Sequence, residues 1–142
     1  MTFKSFKIKK KTKGFCDIKD LTPEAAKLIA ESKIQEGQAT FFVSGSTAGL
    51  TTVEYEPGLV KDLESFFEKI IPQSQHYHHE EAWHDGNGFS HVRASLLKPS
   101  LTVPVVGGRL TLGTWQQVIL IDFDNRPRDR EVILQVMGER ST

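Results

Sequence analysis

All five histidines of the chain fall within one stretch of sixteen residues, HYHHEEAWHDGNGFSH, from His76 to His91. Neutral imidazole is a good ligand for zinc, iron, nickel and cobalt. Two adjacent glutamates, an aspartate and an asparagine lie among the rings. A first-row ion needs donors that converge at about 2 Å. His79, His84 and His91 are separated by five and seven residues, and neither step is the four that stacks two ligands on a helix face. The spacing therefore predicts a looped segment. Asp85 and Asn87, each followed by glycine, supply its turn chemistry and oxygen donors. The opposing reading is a set of solvated loop histidines beside an exposed Trp83. His76 and His78, which flank Tyr77, are the more dispensable pair.

Three other stretches offer chemistry. Ser44 to Gly49, SGSTAG, is a run of small residues after an apolar strand, and its free N–H groups could cradle an anion. It lacks the lysine of a P-loop and runs into a strand, so a plain hairpin loop is the alternative. In NRPRDR, Asn125 to Arg130, an extended chain projects Arg126, Arg128 and Arg130 to one side. Such a fork suits phosphate or carboxylate, and a salt-bridged loop is the alternative. In LGTWQ, Leu112 to Gln116, a tryptophan and a glutamine open an apolar strand. Gly113 permits close approach of a ligand there, and a core tryptophan with its N–H satisfied is the alternative.

The elements that must position these groups follow from periodicity. Thr2 to Lys11 alternates partly between apolar residues and lysine, as a lysine-rich edge strand does. Phe15 to Ile18 reads as a second short strand. Thr22-Pro23-Glu24 predicts a helix start with Thr22 as cap, and Gly37 its end. Ala39 to Val43 and Leu50 to Tyr55 read as strands. Leu59, Leu63, Phe66, Phe67, Ile70 and Ile71 recur at helical spacing up to Pro72. A short helix is expected from His91 to Leu97. Leu101 to Val106 and Arg109 to Leu112 form a hairpin across Gly107-Gly108. Gln117 to Phe123 and Val132 to Met137 read as strands buried on both faces. The expected fold class is α/β in the mixed, α+β sense: one compact domain, 1–142, with a mainly antiparallel sheet or sandwich and two main helices.

Composition narrows the function. The 142 residues suit one domain. Eighteen Lys plus Arg balance eighteen Asp plus Glu, which argues against a nucleic-acid partner, since such a partner calls for surplus cations. The single cysteine, Cys16, excludes an internal disulfide and a cysteine-rich zinc site. Neither a signal peptide nor an apolar run long enough to span a bilayer is visible, so no membrane role and a cytoplasmic location are expected.

Together these stretches resemble the YjbQ family, sometimes called the secondary thiamine-phosphate synthase family. The most specific part is SLTVPVVGGRLTLGTWQQV, Ser100 to Val118, joined by STAGLTTVEYEPG, DGNGFSHVRASLL and DFDNRPRDREV. The resemblance implies helices against a mainly antiparallel sheet, a homotrimer, and a pocket with a histidine-bound divalent metal ion, zinc or magnesium. It points to His79 and His91 as ligands. Many members carry a histidine where this chain has Gly45, so His84 is the substitute ligand. Asp85, Asn87, His91 and Gln116 are the catalytic candidates. Ser46, Thr47, Trp115, Arg128 and Arg130 are the candidates for holding a small phosphorylated molecule. The implied activity is a weak transferase reaction. It joins an aminopyrimidine diphosphate to a thiazole phosphate and expels pyrophosphate. A metal-dependent hydrolase, with Asp85 or Glu80 as base, and a non-catalytic small-molecule or metal-binding trimer are the alternatives.

Overall fold

The computed structural model describes residues 1–141. Twelve elements follow in the expected order with one addition: β1 (Thr2–Thr12), β2 (Asp17–Asp20), α1 (Thr22–Ser32), β3 (Ile34–Val43), β4 (Ala48–Val53), α2 (Pro57–Ile70), α3 (His79–Trp83), α4 (Gly88–Leu97), β5 (Ser100–Val106), β6 (Arg109–Leu110), β7 (Gln117–Asp122) and β8 (Arg128–Arg140). The addition is α3, inside the stretch expected to be loop. Two antiparallel sheets form, one of five strands in the order β1-β8-β3-β5-β6 and one of three in the order β2-β7-β4. The lysine-rich β1 lies at a sheet edge, where strands of that composition resist pairing with other chains. No helix among the described residues is long and apolar enough to cross a membrane.

The layers explain the burial of each strand. The inner face of the larger sheet (Ile8, Phe41, Val103, Leu134, Val136) meets α1 (Ala25, Ile29) and one face of the smaller sheet (Leu50, Val118, Leu120). The other face of the smaller sheet (Ile18, Ile119, Ile121) meets α2 through Phe67 and α4 through Ala94. β7 is thus a middle-layer strand, apolar on both sides as expected. β8 is not: Val132, Leu134 and Val136 are buried while Ile133 and Gln135 face out. Its apolar run is broken by alternation because the larger sheet has one bare face.

Two local expectations are corrected. Thr22 does not cap α1, because its Oγ1 accepts the Val118 N–H at 2.9 Å and ties the helix to β7. Gly37 does not end that helix either. The turn comes at Lys33, in the left-handed conformation at φ 61°. Gly37 lies in β3 opposite Gly138 of β8. A Cβ at Gly37 would stand 1.9 Å from the Met137 carbonyl oxygen and 2.7 Å from the Gly138 Cα. Adding a methyl in a strand ordinarily gains about 0.5–1 kcal/mol through chain entropy. Here the strands must separate, so Gly37→Ala is expected to cost a net amount of about 1–3 kcal/mol. Urea unfolding measures it, and a neutral or stabilising result would refute the close approach.

The strand expected from Phe15 begins two residues later, at Asp17. Gly14, Phe15 and Cys16 all have positive φ, at 86°, 60° and 103°, and turn the chain from one sheet to the other. Cys16 is 4% exposed. Burial, seconded by the nearby Glu64 carboxylate, pushes its thiol up to about 12. Folded protein at about pH 8 is therefore expected to resist thiol alkylation, because almost no thiolate is present and access is blocked. The chain unfolded in guanidinium should label at the ordinary rate, and equal rates in both states would contradict this environment.

Candidate functional site

The histidine stretch divides into two faces. α3 opens at His79 and ends at His84, which is exposed and caps the helix at φ 52°. Asp85, Gly86 and Asn87 then turn the chain into α4. The Asp85 carboxylate accepts the Asn87 N–H at 3.1 Å, and Gly86 takes the positive φ of 66°. This turn brings His91, on the first turns of α4, against His79, with ring centroids 4.3 Å apart.

His79 is the centre of the cluster. Its Nδ1 is buried and has no hydrogen-bond partner. The Asp85 carboxylate lies 3.5 Å from that atom and the Glu80 carboxylate 3.7 Å. Trp83 stacks on the ring at 6.5 Å. An orphaned buried nitrogen facing two carboxylates, with a second imidazole packed against its ring, offers donor types that a divalent first-row cation takes. The residues present fit such an ion. Burial, and then the facing His79, lower the proton affinity of His91, while Asp85, Asp124 and Glu80 partly oppose this. The ring is thereby biased toward the neutral form that coordinates metals. The donors of His79, Glu80 and Asp85 all stand within 4.8 Å of one another, and neither His84 nor His91 belongs to that group; His91 adjoins it through its ring.

Beside His91 opens a cavity of about 390 Å³ whose lining includes Gly45, Ser46, Ala48, Ser95 and Pro99. Ser46 and His91 thus share one space, as expected. Trp115 and Gln116 do not join them within one chain. Gln116 bonds Thr52 Oγ1 and the Gly113 N–H, each at 3.0 Å, and faces a separate cleft with Leu97 and Ser100. Trp115 is 72% exposed.

Beneath the site lies a buried polar network absent from the sequence reading. Asp122 and Asp124 are fully buried. The Arg130 guanidinium donates to both Asp122 oxygens, at 2.7 and 2.9 Å, and to Thr47 Oγ1 at 2.6 Å. Thr47 donates onward to Asp124 at 2.9 Å, and Asn87 Nδ2 reaches the same oxygen at 3.3 Å. Arg128 pairs with Asp124 at 3.1 Å. Burial alone would raise the Asp124 carboxyl, but the Thr47 and Asn87 hydrogen bonds and the Arg128 charge outweigh it and hold the group below its usual range. Two guanidinium groups thus face two carboxylates: Arg130 is committed to Asp122 and Thr47, while Arg128, about a third exposed, pairs through Nη2 and leaves its Nε unpartnered. Thr47 and Asn87 are likewise committed: Asn87 Oδ1 accepts from Ser90 Oγ at 2.5 Å and from the Asn125 N–H at 3.0 Å. One signal for this network stood in the sequence: aspartates two apart in Asp122-Phe123-Asp124, then arginines two apart at Arg128 and Arg130. Paired across a tight connection, period two puts both couples on one face.

The layered antiparallel fold and the imidazole–carboxylate cluster above a buried ion-pair network define a single-domain α+β protein with a surface cavity beside His91. The chain belongs to the YjbQ family: residues 4–139 match the family model described as UPF0047 protein YjbQ-like. The UPF0047 protein of Methanocaldococcus jannaschii is 34% identical over 136 residues, 95% of each chain. That of Synechocystis is 38% identical over 114 residues, 79% of this chain and 77% of the relative. A crystal structure of a YbjQ-like protein from Sulfolobus solfataricus superposes with a TM-score of 0.87 at 26% identity, covering 97% of this chain and all of that one. A YjbQ/UPF0047 family protein from Clostridium acetobutylicum gives 0.84 at 32% identity, covering 93% and 99%.

Proposed function

We propose that the chain is a divalent-metal-dependent enzyme acting on a small phosphorylated molecule, with His79, His91, Glu80 and Asp85 holding the ion. The single observation carrying this is the buried, unpartnered His79 Nδ1 facing two carboxylates, with the His91 ring packed against that of His79. Zinc and magnesium are the first ions to test, and the two imidazoles favour zinc. The reaction that the family resemblance implies is the thiamine-phosphate synthase type. The methylene–oxygen bond of an aminopyrimidine diphosphate breaks, a carbon–nitrogen bond to a thiazole phosphate forms, and pyrophosphate leaves. A bound cation would supply the positive charge such a leaving group needs. The cavity lining carries neither lysine nor arginine, and Arg128 and Arg130 are ion-paired to Asp124 and Asp122, so a bound cation would add to the positive charge available there. The chain's own part is to position. Gly45, Ser46 and Ala48 leave room beside His91 for a phosphoryl group, and the Asp85–Asn87 turn holds α3 against α4.

A metal-dependent hydrolase is the second reading. It is favoured by Asp85, half exposed beside His79 and open to water whose proton it would take. Assembly as a homotrimer accords with the exposed Phe3, Phe42, Val106 and Ile133 on the bare face of the larger sheet, and with the uncovered Trp115. Sedimentation gives the oligomeric state. Purified protein supplied with each metal is assayed for pyrophosphate release from the substrate pair and, separately, for hydrolysis of phosphoesters. Turnover of the pair supports the synthase reading and phosphoester hydrolysis the second. Silence in both, across all metals, removes the enzymatic proposal.

A further inference from the structure

The outward face of the histidine stretch carries a second constellation, distinct from the His79 cluster. His76 and His78 are both exposed, with rings 5.6 Å apart and nearly perpendicular. One carboxylate, that of Glu81 on α3, serves both: an oxygen lies 3.1 Å from His78 Nδ1 and the other 3.9 Å from His76 Nε2. The donor atoms of all three residues stand within 4.8 Å of one another. Around a tetrahedral zinc with bonds of about 2.0–2.2 Å, donors sit roughly 3.4 Å apart. The three side chains need only small rotations to reach that spacing. They are exposed and free to make them.

We infer that His76, His78 and Glu81 form a second, outer binding site for a first-row divalent cation of the imidazole-preferring kind, zinc or copper, with water completing the shell. Two nitrogen donors against one carboxylate disfavour magnesium and calcium, which prefer oxygen shells. The site has a structural use. α3 has five residues, none buried and none capped by a side chain, and so short a helix does not hold itself together. Yet α3 carries His79 and Glu80. Glu80 in turn accepts the N–H of Tyr77, the residue between the two outer histidines, at 3.2 Å, and that of Gly88 at 2.7 Å. An ion across His76, His78 and Glu81 cross-links residues 76 to 81 and thereby steadies the segment presenting the inner cluster. The outer site stands on its own donors and does not depend on the enzymatic reading above.

The test is equilibrium dialysis against zinc at concentrations stoichiometric with the protein, with bound metal counted by elemental analysis. Wild type is expected to retain two ions per chain. The His76→Gln/His78→Gln double variant should retain one and keep its fold by circular dichroism, because both rings are exposed. The His79→Gln/His91→Gln double variant should retain one as well, held by the outer group. Copper loaded into this last variant should show nitrogen couplings in its electron paramagnetic resonance spectrum, lost when His76 and His78 are also replaced. A His76→Gln/His78→Gln protein that retains as much zinc as wild type overturns the outer site. So does an inner variant that retains none. An inner variant that keeps the wild-type count, while the outer variant loses one ion, counts against the inner metal centre alone.

Discussion

Replacing Arg130 by methionine is expected to destabilise the fold by about 3–5 kcal/mol, the cost of removing one partner of a buried ion pair. Arg130 is only 9% exposed and Asp122 is fully buried. Without the guanidinium, the Asp122 carboxylate keeps two weaker donors, Thr12 Oγ1 at 2.5 Å and the Asp124 N–H at 3.0 Å. Its charge then sits uncompensated between the two sheets. Thr47 loses a donor in the same step, so the damage spreads to Asp124 and to the loop before β4. For a domain of this size the melting temperature should fall by roughly 10 °C or more. The Arg130→Met/Asp122→Asn double variant should recover part of the loss, because the stranded charge is gone. Urea denaturation of the two variants decides the matter. A single-variant cost below about 1 kcal/mol would mean that water, not the guanidinium, satisfies Asp122.

His91→Ala should behave in the opposite way. Its ring is partly exposed and packs against His79 rather than into either apolar core. Stability is expected to stay within about 1 kcal/mol of wild type, as for surface positions. Metal retention at the inner cluster should drop by at least about tenfold, and any turnover by about 100-fold or more. His79→Ala should match it, whereas His84→Ala should change neither reading, since His84 is exposed at the end of α3 and does not pack on His79. Metal affinity and turnover measured side by side for the three variants test this. Full activity in His91→Ala with a lost fold in none of them would separate the imidazole pair from the chemistry.

The contrast between these two positions marks how far the sequence carried. Hydrophobic period alone placed α2, with Phe67 the residue that reaches the core. It also placed β7, the Gly107-Gly108 hairpin and the lysine-rich edge, because each is a local property of a few consecutive side chains. It failed at α3, since a five-residue helix without a buried residue leaves no periodic trace. It failed at Gly37, where a glycine read as a helix stop proves to be one half of a close strand crossing. The arginines of NRPRDR were legible as a fork, but not the two aspartates, four and eight residues earlier, with which Arg128 and Arg130 pair.

The order of elements, the family and the concentration of imidazole in one segment were therefore set by the residues alone. Which imidazoles meet was not. His79 and His91 face each other only because the Asp85-Gly86-Asn87 turn folds α3 back on α4, and Asn87 is held there by Asp124, in the connection after β7 and 37 residues further on. Trp115 and Gln116, prominent in the sequence, were left on other surfaces by the same packing. Local pattern reports what a side chain does to its own backbone; convergence of side chains depends on contacts between distant segments, and these exist only once both sheets and their helices have closed around the cores.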